Sequence, residues 1–282
     1  MEFTISEKLS YSTVRIECTF EKGETGTGTG FFFNFLDNKE NSEHAPVIIT
    51  NKHVIEGAKS GKIIFTKAND KGEPIDTEHL PVDFKNFEKH WIFHDSVDVD
   101  LCALPIATIL NQLNEIKQRV FYIPLTKDLL PTKETIEDTT ALEEILMVGY
   151  PNGIWDTHNN KPIFRRGITA THPKFNYCGK EEIMIDAACF PGSSGSPVFI
   201  LNEGVYRTKN IGLSAGDRII FLGILYAGPQ HNAEGEIEIV DVPTLQKPVA
   251  ISRIPNNLGL IIKSERLFGL ERKLKKTAYN SA

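Results

Sequence analysis

A short segment of the sequence combines the residue types that nucleophilic catalysis needs. It reads CFPGSSGSPVF over residues 189–199, and Ser194 is the middle of its three serines. A serine hydroxyl is a weak nucleophile at neutral pH, so it needs an adjacent base and a third group that orients the base. The same composition is typical of an ordinary surface turn, so the rest of the chain must decide.

The two glycines beside Ser194 favour the catalytic interpretation. Gly192 allows a tight turn in which the amides of Gly192 and Ser194 point the same way, as donors to a developing oxyanion must. Gly195 removes a side chain where a substrate backbone would approach. For Ser193 and Ser196 we expect turn hydroxyls that bond the local backbone.

A base and an acid can be proposed for this serine. His53 follows an apolar strand and a small polar turn, in the segment IITNKHV. Asp100 directly precedes the apolar run LCAL, which would desolvate its carboxylate and suit it to orient the histidine. Asp98 competes with it, because side chains alternate along a strand and the two aspartates would share a face. The apolar run favours Asp100.

Other candidates are weaker. His90 and His94 are spaced like a metal pair but lack a clear third ligand, so we predict no metal site and no cofactor. Arg165 and Arg166 could contact a substrate, although a surface strand pair is the simpler interpretation.

The serine could also belong to an α/β-hydrolase, where serine, acid and histidine follow in that order. Ser194, Asp217 and His231 supply this order. That fold requires G-x-S-x-G at a strand-to-helix turn. Ser196 replaces the last glycine and the strand-like run PVFI follows, so the context argues against it.

Composition is that of an ordinary globular protein, with 282 residues, 40% hydrophobic, 24% charged and a net charge of −6. The acidic balance argues against nucleic-acid binding. No signal peptide is evident, and the longest apolar stretch, 219–227, is too short to span a membrane. We therefore predict a cytoplasmic protein without membrane contact.

Short runs of alternating hydrophobicity, separated by turn signals, predict an all-β sandwich or barrel. Two helices are predicted beside the strands, one over residues 106–120 and an amphipathic one over residues 256–276 near the C-terminus. The predicted strands are 13–20, 47–50, 61–65, 145–149, 167–171, 183–188, 197–201 and 219–226.

The three candidate segments resemble those of trypsin-like proteases. TNKHV resembles the segment around their catalytic histidine, DLCAL the one at their aspartate, and GSSGSP the one at their nucleophile. The order His53, Asp100, Ser194 is the chymotrypsin-like order. GTGTGF at 26–31, VGYPNG at 148–153 and GITA at 167–170 are most similar to the high-temperature-requirement (Deg-type) branch. The matches run in family order over most of residues 10–230.

The resemblance implies a single peptidase domain of two six-stranded antiparallel β-barrels, with a linking helix and a C-terminal helix. The implied divisions are about 1–120, 121–250 and 251–282. Ser194 would attack the carbonyl, His53 would carry the proton and Asp100 would orient the imidazole. The amides of Gly192 and Ser194 would form the oxyanion hole. The substrate would be a protein or peptide.

Pocket residues follow from the same resemblance. Ala188 and Cys189 should lie at the base of the primary specificity pocket, and Tyr226, Ala227 and Gly228 should form its wall. None of these residues is acidic, so we expect a small or medium apolar side chain at the cleaved position.

The chain also departs from the digestive members of the family. Ser193 stands where those members carry an aspartate that pairs with a newly cut N-terminus, and no Ile-Val-Gly-Gly activation sequence is present. Activation by N-terminal cleavage is therefore not expected, nor is a peptide-binding PDZ domain after Ala227. A loop 190–194 that forms only with an activating partner, and a catalytically silent binding or scaffold module, stay open as alternatives.

Overall fold

In the computed structural model of this chain, the residues described are 2–38, 43–209, 212–228, 230–236, 249–255 and 257–280. The strands are β1 (Thr13–Thr19), β2 (Thr25–Asn38), β3 (Glu43–Thr50), β4 (Ser60–Ala68), β5 (Pro74–Lys85), β6 (Ile92–Phe93), β7 (Cys102–Pro105), β8 (Val120–Phe121), β9 (Glu144–Gly149), β10 (Ile163–Thr169), β11 (Glu182–Asp186), β12 (Pro197–Asn202), β13 (Val205–Thr208), β14 (Gly212–Ala215), β15 (Arg218–Ala227), β16 (Gln230–Glu236), β17 (Val249–Pro255) and β18 (Leu258–Lys263). The helices are α1 (Ile5–Ser10), α2 (Lys52–Ile55), α3 (Ala107–Glu115), α4 (Lys133–Asp138) and α5 (Leu267–Asn280).

The C-terminal half forms a closed six-stranded barrel in the order β10-β11-β18-β15-β12-β9. Its interior is filled by aliphatic side chains that alternate along the strands, as expected for a small barrel. Ile145 and Met147 of β9, Ile183 and Ile185 of β11 and Val198 of β12 are members of this cluster. The predicted C-terminal barrel is confirmed.

The N-terminal half forms an eight-stranded sheet in the order β5-β4-β1-β2-β3-β7-β6, with β8 paired to β4. Among the described residues no pairing joins the outer strands β5 and β6, so the second six-stranded barrel is not confirmed. Strand β1 is also less exposed than its alternation suggests. Thr13 and Arg15 are buried together with Val14 and Ile16, because residues of the other half cover them.

The predicted C-terminal helix over 256–276 is wrong in its first part. Residues 258–263 form β18, which pairs with β11 and β15 and closes the barrel, and α5 begins only at Leu267. A short apolar run such as LGLII cannot be assigned to strand or helix by periodicity alone. Asn256 itself lies outside the described residues. The linking helix is confirmed as α3, which is shorter than predicted because Val120 belongs to β8.

One apolar cluster joins the two halves. It contains Phe31 and Phe33 of β2, Phe221 of β15, and Leu270 of α5. The rings of Phe31 and Phe221 meet edge to face with their centroids 5.4 Å apart. Helix α5 thus follows the last barrel strand and packs back on the N-terminal sheet.

The four cysteines are all free, and they lie at different depths. Cys18 and Cys102 are buried in the N-terminal sheet, Cys189 is half-buried and Cys178 is exposed. Burial raises the pKa of the Cys18 thiol to about 12 and that of Cys102 well above its usual value. In the described part of the chain, none of the helices has the length and apolar character needed to cross a membrane.

Candidate active site

Adjacent strands bring His53 and Asp100 together. His53 lies in α2, just after β3, and Asp100 lies just before β7, which pairs with β3. The Asp100 Oδ2 atom is 2.5 Å from His53 Nδ1, and Oδ1 accepts the main-chain N–H of His53 at 3.1 Å. The carboxylate therefore fixes one ring nitrogen and leaves the other, Nε2, free for proton exchange.

The segment around Asp100 is itself held in place. Asn51, which is fully buried, donates its side-chain amide to the Asp100 carbonyl at 2.8 Å. Val99 and Leu101 on either side belong to the apolar cluster that joins the halves. Asp98 is exposed, so the structure brings Asp100 rather than Asp98 to the histidine.

The Ser194 loop rests directly on the strands that deliver His53. Thr29 of β2 donates its main-chain N–H to the Ser194 carbonyl at 2.9 Å, and Gly195 donates to the Leu225 carbonyl at 2.8 Å. A Cβ on Gly195 would overlap the Thr29 carbonyl oxygen and would lie 2.5 Å from Thr50 Oγ1. Gly195 is therefore required by contact with the protein's own backbone, and its φ of +88° also favours glycine. The sequence had suggested room for a substrate instead.

Among the described residues the Ser194 hydroxyl makes no hydrogen bond to the His53 ring. They are connected through Thr29. Its N–H donates to the Ser194 carbonyl, and its carbonyl accepts from the hydroxyl of Thr50, three residues before His53. Bonds between a nucleophile and its base are often long before substrate binds, so this arrangement is compatible with a catalytic pair.

Two main-chain N–H groups of the loop have no acceptor within the described ranges of the chain. The Pro191 carbonyl accepts from Asn152 N at 2.5 Å, and the Ser193 carbonyl accepts from Ser196 N at 3.0 Å. In a trans peptide the N–H points opposite to the C=O, so the N–H groups of Gly192 and Ser194 face away from these partners. Within the described residues neither N–H donates to another protein group. Two unpaired donors next to a serine are suited to bind an anion.

The hydroxyls of Ser193 and Ser196 do not bond the local backbone as predicted. Both are buried, each at 1% exposure, and neither has a hydrogen-bond partner among the described residues. Ser196 Oγ instead lies where a side chain on Gly149 would be. These hydroxyls are packed between strand ends, a placement that the turn-like composition of the segment does not reveal.

A model of a known protein family covers the segments that form this site. The model of the trypsin-like peptidase domain family matches residues 28–205, which include His53, Asp100 and Ser194. The chain belongs to the trypsin-like peptidase domain family.

Solved structures similar to this trypsin-like peptidase domain include three that cover most of its length. The active form of the Rv3671c protease from M. tuberculosis is 14% identical, covers 93% of this chain and 79% of its own, and has a TM-score of 0.44. The thermostable serine protease AL20 from an extremophilic microorganism is 12% identical, with coverages of 94% and 97% and a TM-score of 0.45. GrC is 13% identical, covers 97% of each chain and has a TM-score of 0.47. A comparison with curated protein sequences finds no significant match. Particular closeness to the Deg-type branch stays a prediction.

Three residues of the trypsin-like domain meet near the predicted specificity pocket. A Cβ on Gly259 would lie 2.5 Å from Cys189 Sγ, and one on Gly228 would lie 3.7 Å from Cys189 Cβ. Burial raises the pKa of the Cys189 thiol to about 11, so the thiol is neutral at ordinary pH. Sequence reasoning missed Gly259 because its segment had been assigned to a helix.

The other predicted pocket residues have their own partners. Ala227 pairs with Leu260 in the barrel, and Ala188 is half-buried. Burial raises the pKa of Tyr226, and the carboxylate of Glu182 adds to this rise. The charge of the Asp100 carboxylate adds to it further.

Arg165 and Arg166 separate in the structure. Arg166 is exposed, and its Nη2 atom lies 3.9 Å from Glu144 Oε2 in a loose surface ion pair. This agrees with the simpler interpretation of Arg166 as a surface strand residue. Arg165 instead donates to the Ala188 carbonyl and stacks over the Phe190 ring, 4.8 Å from its centroid. Burial lowers the pKa of its guanidinium. Arg165 thus supports the segment that leads into the serine loop, which the sequence did not indicate.

No metal site is found among the described residues, because no three histidine, cysteine, aspartate or glutamate side chains converge. His90 and His94, the candidate pair, have separate partners. His90 Nε2 is 3.0 Å from the Lys85 carbonyl, whereas His94 Nδ1 accepts from Ser96 N at 3.0 Å.

Proposed function

We propose that this trypsin-like domain is a serine endopeptidase that hydrolyses peptide bonds through an acyl-enzyme. The observation that carries the proposal is the two-point contact of Asp100 with His53, on the strands against which the Ser194 loop packs. A histidine with one nitrogen held by a carboxylate and the other free is the arrangement that a serine nucleophile needs.

The proposed reaction has two halves. His53 Nε2 takes the Ser194 proton as Oγ attacks the carbonyl carbon, and the oxyanion accepts from the N–H groups of Gly192 and Ser194. When the intermediate collapses, the peptide C–N bond breaks and His53 gives its proton to the leaving amine. Water then attacks the ester with His53 again as base, and the acid is released as Ser194 recovers its proton. Removing one oxyanion donor typically costs ~10²–10³ in turnover.

We propose a small or medium apolar side chain at the cleaved position. Cys189 carries a neutral thiol, and Gly228 and Gly259 beside it add no polar side chain. Arg165 donates to the Ala188 carbonyl and so places a cation beside the predicted floor of the specificity pocket. This positive charge disfavours lysine or arginine at the cleaved position of the substrate. A polypeptide substrate and a cytoplasmic location are parts of the same proposal, whereas the alternative with an activating partner predicts no labelling of the isolated protein.

Labelling with a fluorophosphonate probe, followed by peptide mass spectrometry, tests the nucleophile. We expect one adduct, on Ser194, that Ser194→Ala abolishes and that His53→Ala slows by ~10³-fold or more, because the serine then lacks its base. Ser193→Ala is the matched control and should still be labelled on Ser194. Folded wild-type protein without an adduct, or with one on another serine, would sink the proposal and favour a silent binding module.

A further inference from the structure

Thr29 is a buried residue that bonds the Ser194 loop, the end of β3 before His53 and the turn after β9. It is fully buried on β2, and it makes four hydrogen bonds with its main chain and its hydroxyl. Its N–H donates to the Ser194 carbonyl at 2.9 Å, and its carbonyl accepts from the Thr50 hydroxyl at 2.7 Å. Its own hydroxyl donates to the Gly192 carbonyl at 2.9 Å and accepts from Tyr150 N at 3.0 Å.

We propose that the Thr29 hydroxyl is a positioning residue for the oxyanion hole, holding the Gly192 carbonyl inward so that the neighbouring amides face the substrate. This inference rests on the proposed peptidase function. It concerns a contact made across the two halves of the molecule, because Thr29 belongs to the N-terminal sheet and Gly192 to the loop before β12.

The backbone at Gly192 needs such a contact. Its φ is +84°, and glycine moves between backbone conformations at little cost. If the Gly192 carbonyl lost its buried donor, it would remain unsatisfied, at a cost of ~1–3 kcal/mol. Rotation of this peptide toward the open site would restore hydration to the oxygen. A carbonyl oxygen there would repel the oxyanion that the reaction forms.

Side-chain contacts within the loop do not replace this bond. In the part of the chain that the structure describes, the buried Ser193 hydroxyl has no partner, so it does not hold the loop. The remaining anchors are main-chain bonds. Pro191 and Gly195 bond Asn152 and Leu225, and the Ser193 N–H, on the other side of the peptide that carries the Gly192 carbonyl, donates to the Phe190 carbonyl at 3.0 Å. The Thr29 hydroxyl is therefore the second of two bonds that hold this peptide, and it is the one that satisfies the carbonyl oxygen. Thr29 Oγ1 is the side-chain donor for that oxygen in the described part of the chain.

The turn after β9 leaves room for the hydroxyl. A Cβ on Gly149 would lie 2.7 Å from Thr29 Oγ1, and one on Gly192 would lie 2.7 Å from the Tyr150 carbonyl. The two glycines therefore allow β2, the turn and the loop to approach closely enough for Thr29 to bond both Tyr150 and Gly192.

Thr29→Val tests the inference, because valine keeps the shape of threonine and removes the hydroxyl. We expect probe labelling of Ser194, and kcat on a cleavable peptide, to fall by ~10²–10³-fold, the loss typical of one oxyanion donor. KM should change little, since the oxyanion forms after substrate binding. Thr29→Ser restores the hydroxyl and should recover most of the rate.

Thr169→Val is the matched control. Thr169 is also buried, on β10, and its hydroxyl accepts from Glu143 N and donates to the Ala141 carbonyl, both at 2.9 Å. It should lose comparable stability in thermal unfolding and keep the labelling rate. If Thr29→Val fails to fold, Thr29→Ala gives the same comparison with less steric demand.

The outcomes separate the two proposals. Wild-type protein without a Ser194 adduct defeats the proposed function. Labelled wild type with an equal rate in Thr29→Val defeats the Thr29 inference alone. A slow Thr29→Val that Thr29→Ser does not rescue, or a KM that rises while kcat is unchanged, would also overturn it.

Discussion

Asp100 contacts His53 at two points. The contact with the main chain fixes the orientation of the carboxylate, which an attraction between charges alone would not do. Oδ1 binds the main chain of His53 and Oδ2 binds its ring, so the carboxylate cannot rotate without losing one bond. The ring nitrogen that faces Asp100 must carry the proton, because a carboxylate only accepts. The other nitrogen is then an acceptor, which is the state that a general base requires.

At this residue we predict a large loss on Asp100→Asn. The amide keeps the shape of the carboxylate but can donate to the ring, which stabilises the wrong tautomer and costs ~10⁴-fold in kcat in a comparable triad. Asp98→Asn is the control, since Asp98 is exposed on the same segment and should retain the wild-type rate. Peptide hydrolysis measured for both variants checks this, and an equal loss in both would assign the acid wrongly.

The candidate catalytic residues could be predicted from the sequence, whereas the residues that hold their segments in place could not. His53, Asp100 and Ser194 stand in local contexts of strand ends and turns that are visible in a single segment. Thr29 and Arg165 act through main-chain carbonyls far along the chain. The Thr29 contact depends on how the two halves pack, and the Arg165 contact depends on how β10 lies beside the segment after β11 within the barrel. The sequence near either residue does not encode that packing.

Helix α5 is the element that holds the Asp100 segment from outside. Leu267, Leu270 and Leu274 are buried in the same cluster as Val99 and Leu101. Lys273 forms an ion pair with Asp95 at 2.7 Å, on the loop that leads to Asp100. The helix therefore contributes to the site through packing, although it contains none of the proposed catalytic residues.

Gly269 of this helix faces the ring of His94, and it gives a prediction with an unusual sign. Alanine normally stabilises a helix relative to glycine by ~1 kcal/mol. Here a Cβ would overlap the ring of His94, which is buried and bonded to Ser96 N. Gly269→Ala should therefore lower the free energy of unfolding, by ~1–3 kcal/mol as overpacking does.

Urea unfolding of a double-mutant cycle measures this contact. In the His94→Ala background the added methyl has space, so Gly269→Ala should become neutral or stabilising. A destabilisation of the same size in both backgrounds would show that the ring is not the obstacle.

The segment before helix α5 shows why the hydrophobic pattern alone did not predict the correct secondary structure. The run before α5 is apolar and only six residues long, and its pairing partners β11 and β15 decide that it is a strand. The alternating pattern predicted many strands correctly but not whether a sheet closes. Closure depends on pairing between the outermost strands, which no local pattern describes.

The stability of the whole molecule should depend on pH through His94. Burial lowers the pKa of this imidazole, and the charge of Arg266 lowers it further. Lys52 acts in the same direction and Asp95 in the opposite one. In the unfolded chain the histidine binds a proton near pH 6.5, while in the folded protein it remains neutral to lower pH.

We therefore expect stability to fall as the pH drops below about 6.5, by at most ~1.4 kcal/mol per pH unit for this one proton. The decline from His94 ends when the pH reaches the lower pKa of the folded state. Urea midpoints between pH 5 and 8 measure it, with His94→Gln as the comparison. Parallel pH profiles for the two proteins would assign the dependence to other groups.

The depths of the four free thiols have a consequence for following motions of the native protein. We expect the exposed Cys178 to react with a thiol reagent first and the half-buried Cys189, which lies beside Gly259, to react more slowly. Cys18 and Cys102, whose thiols face the carbonyls of Val54 and Asn51, react only when the N-terminal sheet opens. The native cysteines can therefore serve as probes without any substitution. The order in which the four thiols are modified reports which part of the molecule opens first.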